Sequence, residues 1–166
     1  MRRLSAVATI VAGAMLGVPP LWLTLHPPPA AQHWPVFVGA KVDASALKLF
    51  ERACLNCHSQ NTDWPWYSRL PPASFLIRRD VEEARRHVNF TNWGAYSSAQ
   101  QQELLSTIGV VVRTGRMPVP RYTRLHPEAR LTDEEREQIY AWSRKERKRL
   151  SAELAGTDQE SVRAAK

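Results

Sequence analysis

Apolar residues after residue 40 recur every three to four positions, which is the period of an α-helix. A first helix is predicted to begin at Asp43 or Ser45, because either side chain can cap a helix amino terminus. The chain then reaches Cys54 directly after this helix. The inward face of the helix would carry four apolar residues at helical spacing, namely Ala46, Leu49, Phe50 and Ala53.

The same periodicity predicts further helices downstream. One lies around residues 80–88. A capping-box pattern at Ser97 and Gln100 begins another, and a second capping box at Thr132 and Glu135 begins the last. Glycines are few and runs of Val, Ile and Thr are scarce, so we expect an all-α fold of three to four helices. The positions predicted to face the core of these helices are Val81, Ala84, Val88, Leu104, Leu105, Ile108, Val111, Val112, Ile139, Trp142 and Leu150.

The amino terminus has the pattern of a segment that targets a chain to a membrane. Arg2 and Arg3 precede an uncharged run over residues 4–25, which is long enough to form a hydrophobic helix across a bilayer. The small residues Ala30 and Ala31 follow three prolines and make a poor cleavage site for a signal peptide. We therefore expect a single-pass anchor in the bacterial cytoplasmic membrane, with the domain in the periplasm or outside. Cleavage would instead leave a soluble periplasmic protein.

The whole chain divides by composition into four segments. Residues 1–25 form the predicted anchor or signal peptide, and the proline-rich residues 26–40 form a predicted linker. The domain is predicted over residues 41–150, followed by a flexible tail over residues 151–166. A chain of 166 residues has room for one domain with such appendages.

The chain is basic, with a formal net charge of +7. Such a charge suits nucleic acid, an acidic protein partner or a membrane surface. The basic residues are scattered, except for the run RKERKR at residues 144–149. No aromatic residue interrupts that run, as one would in a platform for nucleic acid. We therefore expect no nucleic-acid partner.

The chain has two cysteines, Cys54 and Cys57, and His58 follows them in the sequence CLNCH. A thioredoxin-like redox pair requires a βαβ context, which the predicted helices do not provide. A zinc site requires more ligands at metal spacing, and residues 62–86 contain neither Cys nor His. A disulfide across so short a loop would contribute little stability.

The spacing C-x-x-C-H is typical of covalent haem attachment. Two thiols at this spacing can bond to the two vinyl groups of a haem, and the adjacent histidine can bind the iron. We therefore predict one haem c, attached through Cys54 and Cys57, with His58 as the proximal iron ligand. Phe50 on the first helix would pack against Trp142 on the last helix and shield one haem edge. A non-haem Cys/His metal site is the alternative for the same residues.

The iron of such a haem usually has a second axial ligand, which is a methionine or a histidine. Met117 is the only methionine after the amino-terminal segment, and it precedes Pro118 and Pro120. These prolines stiffen a loop that can hold a thioether near a metal. We predict Met117 as the distal ligand, with His126 as the alternative. Three histidines are not expected to bind the iron: His26, His33 and His87.

The chain resembles the haem-binding domain family of small bacterial cytochrome-c-like proteins over residues 47–142. Four segments carry the resemblance: CLNCHSQNTDWPWYS, PPASFLIRRDVEEARRHVNFTNW, GRMPVPRYTRLHPEARLTDEE and IYAW. The resemblance implies a cytochrome-c-like domain around one haem, bound through Cys54 and Cys57 with His58 as proximal ligand. It is consistent with Met117 as distal ligand. Phe75 stands where members of the family often carry tryptophan.

Three aromatic residues after the motif, Trp64, Trp66 and Tyr67, are predicted to form a wall of the haem pocket. Their N–H and O–H groups can donate to a haem propionate or to a backbone carbonyl. Ordinary core packing is the alternative for each of them. Three further residues are candidates for polar contacts under the same wall: Asp80, Arg85 and Trp93.

An iron closed by His58 and Met117 has no open position for a substrate. We therefore predict one-electron transfer with a redox protein partner, and we assign no catalytic residue. An open or labile distal position would instead permit a peroxidase-like enzyme, or a gas or redox sensor. The polar residues near Met117 that could act on a bound ligand are Arg113, Arg116, Arg121 and His126.

Overall fold

The computed structural model describes residues 33–164, and residues 1–32, 165 and 166 lie outside it. This part of the chain is helical and contains no strand, which confirms the predicted all-α class. Its α-helices, labelled in chain order, are α1 Ala44–Ala53, α2 Leu55–His58, α3 Ala73–His87, α4 Ser98–Arg113, α5 Pro120–Leu125 and α6 Asp133–Ala164. Short 3₁₀ turns occupy Trp66–Arg69, Phe90–Ala95 and Pro127–Ala129.

The predicted starts of three helices are confirmed by their hydrogen bonds. The carboxylate of Asp43 accepts a backbone N–H from the first turn of α1. At the start of α4, Ser97 and Gln100 exchange the two bonds of a capping box. Thr132 and Glu135 do the same at the start of α6, over 2.9 and 3.2 Å. Local side-chain chemistry therefore determines where these helices begin.

The described chain forms two compact units. One contains residues 63–80, and the other contains residues 33–62 and 81–164. The larger unit has an aromatic core, in which the rings of Phe50 and Trp142 lie 5.0 Å apart, edge to face. This contact joins α1 to α6 and confirms the predicted packing of these two residues. All four residues predicted for the inward face of α1 are buried.

The segment predicted as a linker differs in the structure over residues 33–40. Phe37 is buried, and its ring lies 4.9 Å from that of Phe50. Its backbone N–H donates to the carbonyl of Phe90 over 3.0 Å. Trp34 and the side chain of Asn61 exchange two hydrogen bonds, of 2.7 and 2.8 Å. Phe37 therefore joins this stretch to the core, because its ring is buried there although Pro35 lies close to it in sequence.

Several helices also differ in extent from the sequence prediction. α2 and α5 were not predicted, because four or six residues are too few to show a helical period. α3 begins at Ala73, before the predicted residues 80–88. α6 continues to Ala164, through most of the segment predicted as a tail, whose flexibility stays a prediction.

A buried carboxylate connects residues 39–41 to α6. Glu146 is 2% exposed, and one of its oxygens accepts the backbone N–H of Lys41 over 3.0 Å. Its other oxygen accepts from Nε of Arg149 over 2.9 Å. Arg149 also pairs with Glu153 and donates to the carbonyl of Gly39 over 3.1 Å. The pKa of Arg149 is raised above its usual value, first by the hydrogen bond to Glu146.

The predicted location as a single-pass membrane protein requires correction. Within residues 33–164, no helix is both long enough and apolar enough to cross a bilayer. The longest of these helices, α6, carries charged residues along its whole length and has a polar mean hydropathy. This finding contradicts the predicted location. The stretch 1–25, on which that prediction depended, lies outside the described residues.

Candidate haem site

Cys54, Cys57 and His58 lie together at the carboxyl end of α1. α1 ends at Ala53, and Cys54 leaves helical geometry with φ −129° and ψ −44°. The backbone N–H groups of Cys57 and His58 then both donate to the carbonyl of Cys54, over 3.1 and 3.0 Å. The two cysteines form no disulfide with each other. Both thiols and the imidazole therefore belong to one turn of chain.

The imidazole of His58 has a defined orientation. Its Nδ1 lies 3.1 Å from the carbonyl oxygen of Val88. A carbonyl can only accept, so Nδ1 carries the proton in this contact and Nε2 of the neutral ring carries the lone pair. Burial lowers the pKa of His58, and the carbonyls of Val88 and Ala84 oppose this shift only in part. Nε2 is therefore the atom of this ring that can bind a metal.

The thiol of Cys54 lies in an apolar environment. Cys54 packs against the hydrophobic core of the larger unit. Burial, together with a smaller effect of Cys57, raises the pKa of Cys54 to about 12. The thiol is therefore protonated at neutral pH, unlike the attacking cysteine of a redox pair, whose pKa is lowered.

Arg85 on α3 holds the chain that follows the motif. Its Nε donates to the carbonyl of Ser59 over 2.9 Å, and its Nη2 donates to Oγ1 of Thr62 over 2.8 Å. The hydroxyl of Thr62 donates in turn to the carbonyl of Asn56, over 2.7 Å. The hydroxyl of Ser59 donates to the carbonyl of Leu55 over 2.7 Å. These bonds fix the four residues after His58 against the motif itself.

Arg85 was among three residues predicted to make polar contacts, and the other two behave differently. The carboxylate of Asp80 lies 3.7 Å from the guanidinium of Arg79. The indole of Trp93 is fully buried, and its N–H has no hydrogen-bond partner among the described residues. Trp93 therefore contributes to the core mainly through its ring, 6.2 Å from that of Phe90.

Met117 lies in the loop that follows α4. The chain leaves the helix through Gly115 at φ +69°, a conformation that glycine adopts without strain. The backbone N–H of Met117 donates to the carbonyl of Val111 over 3.0 Å. Its side chain is partly buried and packs against the hydrophobic core. Met117 is therefore held in an ordered loop of the larger unit, and its role as distal ligand stays a prediction.

His126, the alternative to Met117, has partners on two sides. Its ring stacks on that of Tyr122, with centroids 4.3 Å apart and planes inclined by 22°. Its Nδ1 lies 3.0 Å from the carboxylate of Glu128. The hydroxyl of Tyr122 accepts a hydrogen bond from the side-chain amide of Asn56, which stands between the two cysteines in the sequence. The sequence offered no signal for Tyr122, because 66 positions separate it from Asn56.

The three residues predicted as a haem wall belong to the smaller unit. Trp64 and Tyr67 are half-buried, whereas Trp66 is 70% exposed. The rings of Trp66 and Tyr67 meet edge to face, 5.8 Å apart. The hydroxyl of Ser68 donates to the carbonyl of Pro65 over 2.6 Å and steadies this turn. Their function as a wall of the haem pocket stays a prediction.

The arginines considered for an open distal position lie at the surface. Arg113 covers the ring of Tyr140, 4.5 Å from its centroid, and its Nε lies 3.4 Å from the carboxylate of Glu137. Both of these partners are on α6. Arg116 and Arg121 are exposed. Arg113 is therefore engaged with α6, and none of the three is buried in a pocket.

The alternative of a non-haem metal site finds no support in the described part of the chain. There, no three His, Cys, Asp or Glu side chains are arranged to hold a metal ion together. Cys54, Cys57 and His58 do not form such a group either. A structural zinc site requires four ligands.

A helical fold that carries two cysteines outside any disulfide and a histidine on one turn, at C-x-x-C-H spacing, is typical of candidate c-type haem proteins. A family model described as "Haem-binding domain" matches residues 22–145. This match covers more than half of the chain, which therefore belongs to the haem-binding domain family. The resemblance inferred from the sequence is confirmed.

One curated protein is similar to a large part of the chain. Over 119 residues, the chain is 33% identical to Cytochrome c peroxidase Ccp of Escherichia coli (strain K12). The alignment covers 65% of this chain and 26% of that protein. The chain thus spans about a quarter of the length of this relative. No solved structure matches the chain significantly.

Proposed function

We propose that this chain is a monohaem c-type cytochrome domain that transfers one electron at a time. The observation that carries the proposal is the orientation of His58. Its Nδ1 faces the carbonyl of Val88, which leaves Nε2 to bind iron. Cys54 and Cys57 lie on the same turn, form no disulfide with each other, and would supply the thiols for covalent attachment. Membership in the haem-binding domain family supports haem as the cofactor.

The surroundings of this turn suit a haem. The ring of Phe90 lies 6.0 Å from that of His58, and Cys54 packs on the apolar core. An apolar shell limits the access of water and tunes the properties of a bound metal. The neutral state of His58, favoured by its lowered pKa, is the state that binds iron. When bound, the haem supplies an iron that gains and loses one electron.

Met117 is the proposed second axial ligand. Its thioether is a known ligand of c-type haem iron, and it packs here among apolar side chains of the larger unit. His126 is the weaker choice, because its ring already stacks on Tyr122 and its Nδ1 faces Glu128. With both axial positions filled, the iron would exchange electrons and bind no substrate. The partner would be a redox protein, and the net charge of +7 favours one with an acidic surface.

A peroxidase-like function is the second candidate. The similarity to Cytochrome c peroxidase Ccp is the observation that favours it. The chain covers only 26% of that protein, so the similarity extends to a part of it. In this case the distal position of the iron would be open, and Met117 would not be a permanent ligand.

Optical spectra test the two candidates. The chain is produced together with a bacterial c-type haem attachment system, and spectra are recorded oxidised, reduced, and reduced with carbon monoxide. Electron transfer requires a low-spin spectrum that carbon monoxide does not change. A high-spin ferric spectrum, or prompt binding of carbon monoxide, would support the peroxidase-like function instead. A chain that carries no covalent haem would contradict both.

A further inference from the structure

Arg85 is a cation whose surroundings supply few negative charges. Arg85 is half-buried, and its guanidinium donates two hydrogen bonds to uncharged oxygens, the carbonyl of Ser59 and the hydroxyl of Thr62. Within the described part of the chain, no carboxylate lies within ion-pair distance of its guanidinium. A partly buried charge without a counter-charge is unfavourable, so such groups usually have a partner.

Arg149 differs from Arg85 in having carboxylates bonded to its guanidinium. Arg149 contacts the carboxylates of Glu146 and Glu153, and its pKa is raised. Arg85 shows the opposite: burial lowers its pKa, and the effects of Cys57 and Glu82 do not offset this. Two carboxylates therefore bond directly to Arg149, whereas no carboxylate of the described residues bonds directly to Arg85.

The position of Arg85 indicates which anion is missing. It donates to the carbonyl of Ser59, the residue directly after His58, and to the hydroxyl of Thr62 three residues further on. A guanidinium has five N–H donors in a planar fork, and only two of its nitrogens are used here. The remaining donors suit a carboxylate, which such a fork can bind with two parallel bonds. A haem carries two such carboxylates, its propionates.

We propose that Arg85 binds a propionate of the haem. This inference rests on the proposed function, since it requires a haem at Cys54, Cys57 and His58. The two existing bonds of Arg85 hold the guanidinium beside the motif, and the propionate supplies the counter-charge. Arg85 would then both bind the cofactor and raise its reduction potential, because a fixed positive charge disfavours the ferric state.

The test compares Arg85→Met with Arg86→Met, its neighbour on α3. Arg86 is exposed and pairs with Glu83, so its loss serves as a matched control for charge and helix position. Each haem-loaded chain is examined by resonance Raman spectroscopy, where the bending mode of the propionates reports hydrogen bonding to them. We expect this mode to shift to lower frequency, and the reduction midpoint to fall, in Arg85→Met alone.

An unshifted propionate mode in a haem-loaded Arg85→Met chain would overturn the inference, even if stability were reduced. Should that variant not retain haem, Arg85→Lys carries the same test, because lysine keeps the charge but has no fork. It should shift the mode part of the way, and no shift would overturn the inference. A wild-type chain without haem would instead contradict the proposed function, so the two failures are distinguishable.

Discussion

The amide of Asn56 donates a hydrogen bond to the hydroxyl of Tyr122 over 3.2 Å. Asn56 stands between Cys54 and Cys57, and Tyr122 lies on α5, shortly after Met117. The bond therefore joins the segment proposed to attach the haem to the segment that carries the proposed distal ligand. It links two parts of the site that are far apart in sequence.

Replacing Tyr122 with phenylalanine removes this bond but keeps the ring that stacks on His126. We expect the free energy of unfolding to fall by about 1 kcal/mol, the usual net contribution of one hydrogen bond. Carbon monoxide, which should leave the wild-type spectrum unchanged, should become able to bind the ferrous variant, because the loop of Met117 is held less firmly. Urea unfolding and stopped-flow mixing measure the two effects. Tyr140→Phe on α6 is the control, and equal binding of carbon monoxide there would contradict this explanation.

Covalent attachment should depend on both thiols. In Cys54→Ala and Cys57→Ala, we expect one thioether each, and in the double variant a chain without covalent haem. Intact mass after denaturation measures the haem that stays with the chain. A double variant that retained covalent haem, or a wild-type chain that lacked it, would show that these cysteines have another function.

The distal ligand can be identified by two single variants. We expect Met117→Ala to become high-spin and to bind carbon monoxide promptly, because the iron loses its sixth ligand. His126→Ala should keep the wild-type spectrum, since its partners are Tyr122 and Glu128. The opposite result, with a changed spectrum only in His126→Ala, would assign the ligand to His126.

The cap of α1 supports the helix that leads into the motif. The hydroxyl of Ser45 and the backbone N–H of Ala46 donate to Asp43 and lower its pKa from the usual 3.8. Asp43→Ala should lower the free energy of unfolding by about 1 kcal/mol, whereas Asp43→Asn should retain most of it, because asparagine also caps helices.

The pH dependence of this cap has a defined sign. A carboxyl group whose pKa is lower in the folded state stabilises the protein above its unfolded pKa. This contribution is lost as the pH falls from about 3.8 through the lower folded pKa of Asp43. Any advantage of the wild type over Asp43→Asn should therefore shrink below about pH 4. Urea unfolding of both proteins between neutral and acidic pH measures this difference in the free energy of unfolding. A difference that stays the same at every pH would contradict the role of the charge.

Residues 33–40 should contribute to stability, in contrast to a linker. We expect Phe37→Ala to lower the free energy of unfolding by about 3 kcal/mol, because it leaves a cavity among the aromatic rings of the core. Val38→Ala is the control, since Val38 is 51% exposed and should change stability by less than about 0.5 kcal/mol. Equal, small effects at both positions would show that this stretch does not belong to the core.

Features of the fold that depend on residues close together in sequence can be predicted from the sequence alone. The helix starts at Asp43, Ser97 and Thr132 could be predicted, because each cap is completed within three residues. The helical class and the buried face of α1 follow from the period of apolar residues. The candidate attachment motif is likewise local, since its chemistry depends on the spacing within CLNCH.

Only the tertiary structure decided the contacts between distant parts of the chain. The orientation of His58 depends on a carbonyl 30 positions away, and the hydrogen bond to Tyr122 spans 66 positions. Phe37, in a proline-rich stretch with no helical period, is buried because Phe50, Phe90 and Trp142 surround it in space. A backbone carbonyl or a single aromatic ring has no local sequence pattern, so these partners become apparent only when the chain has folded.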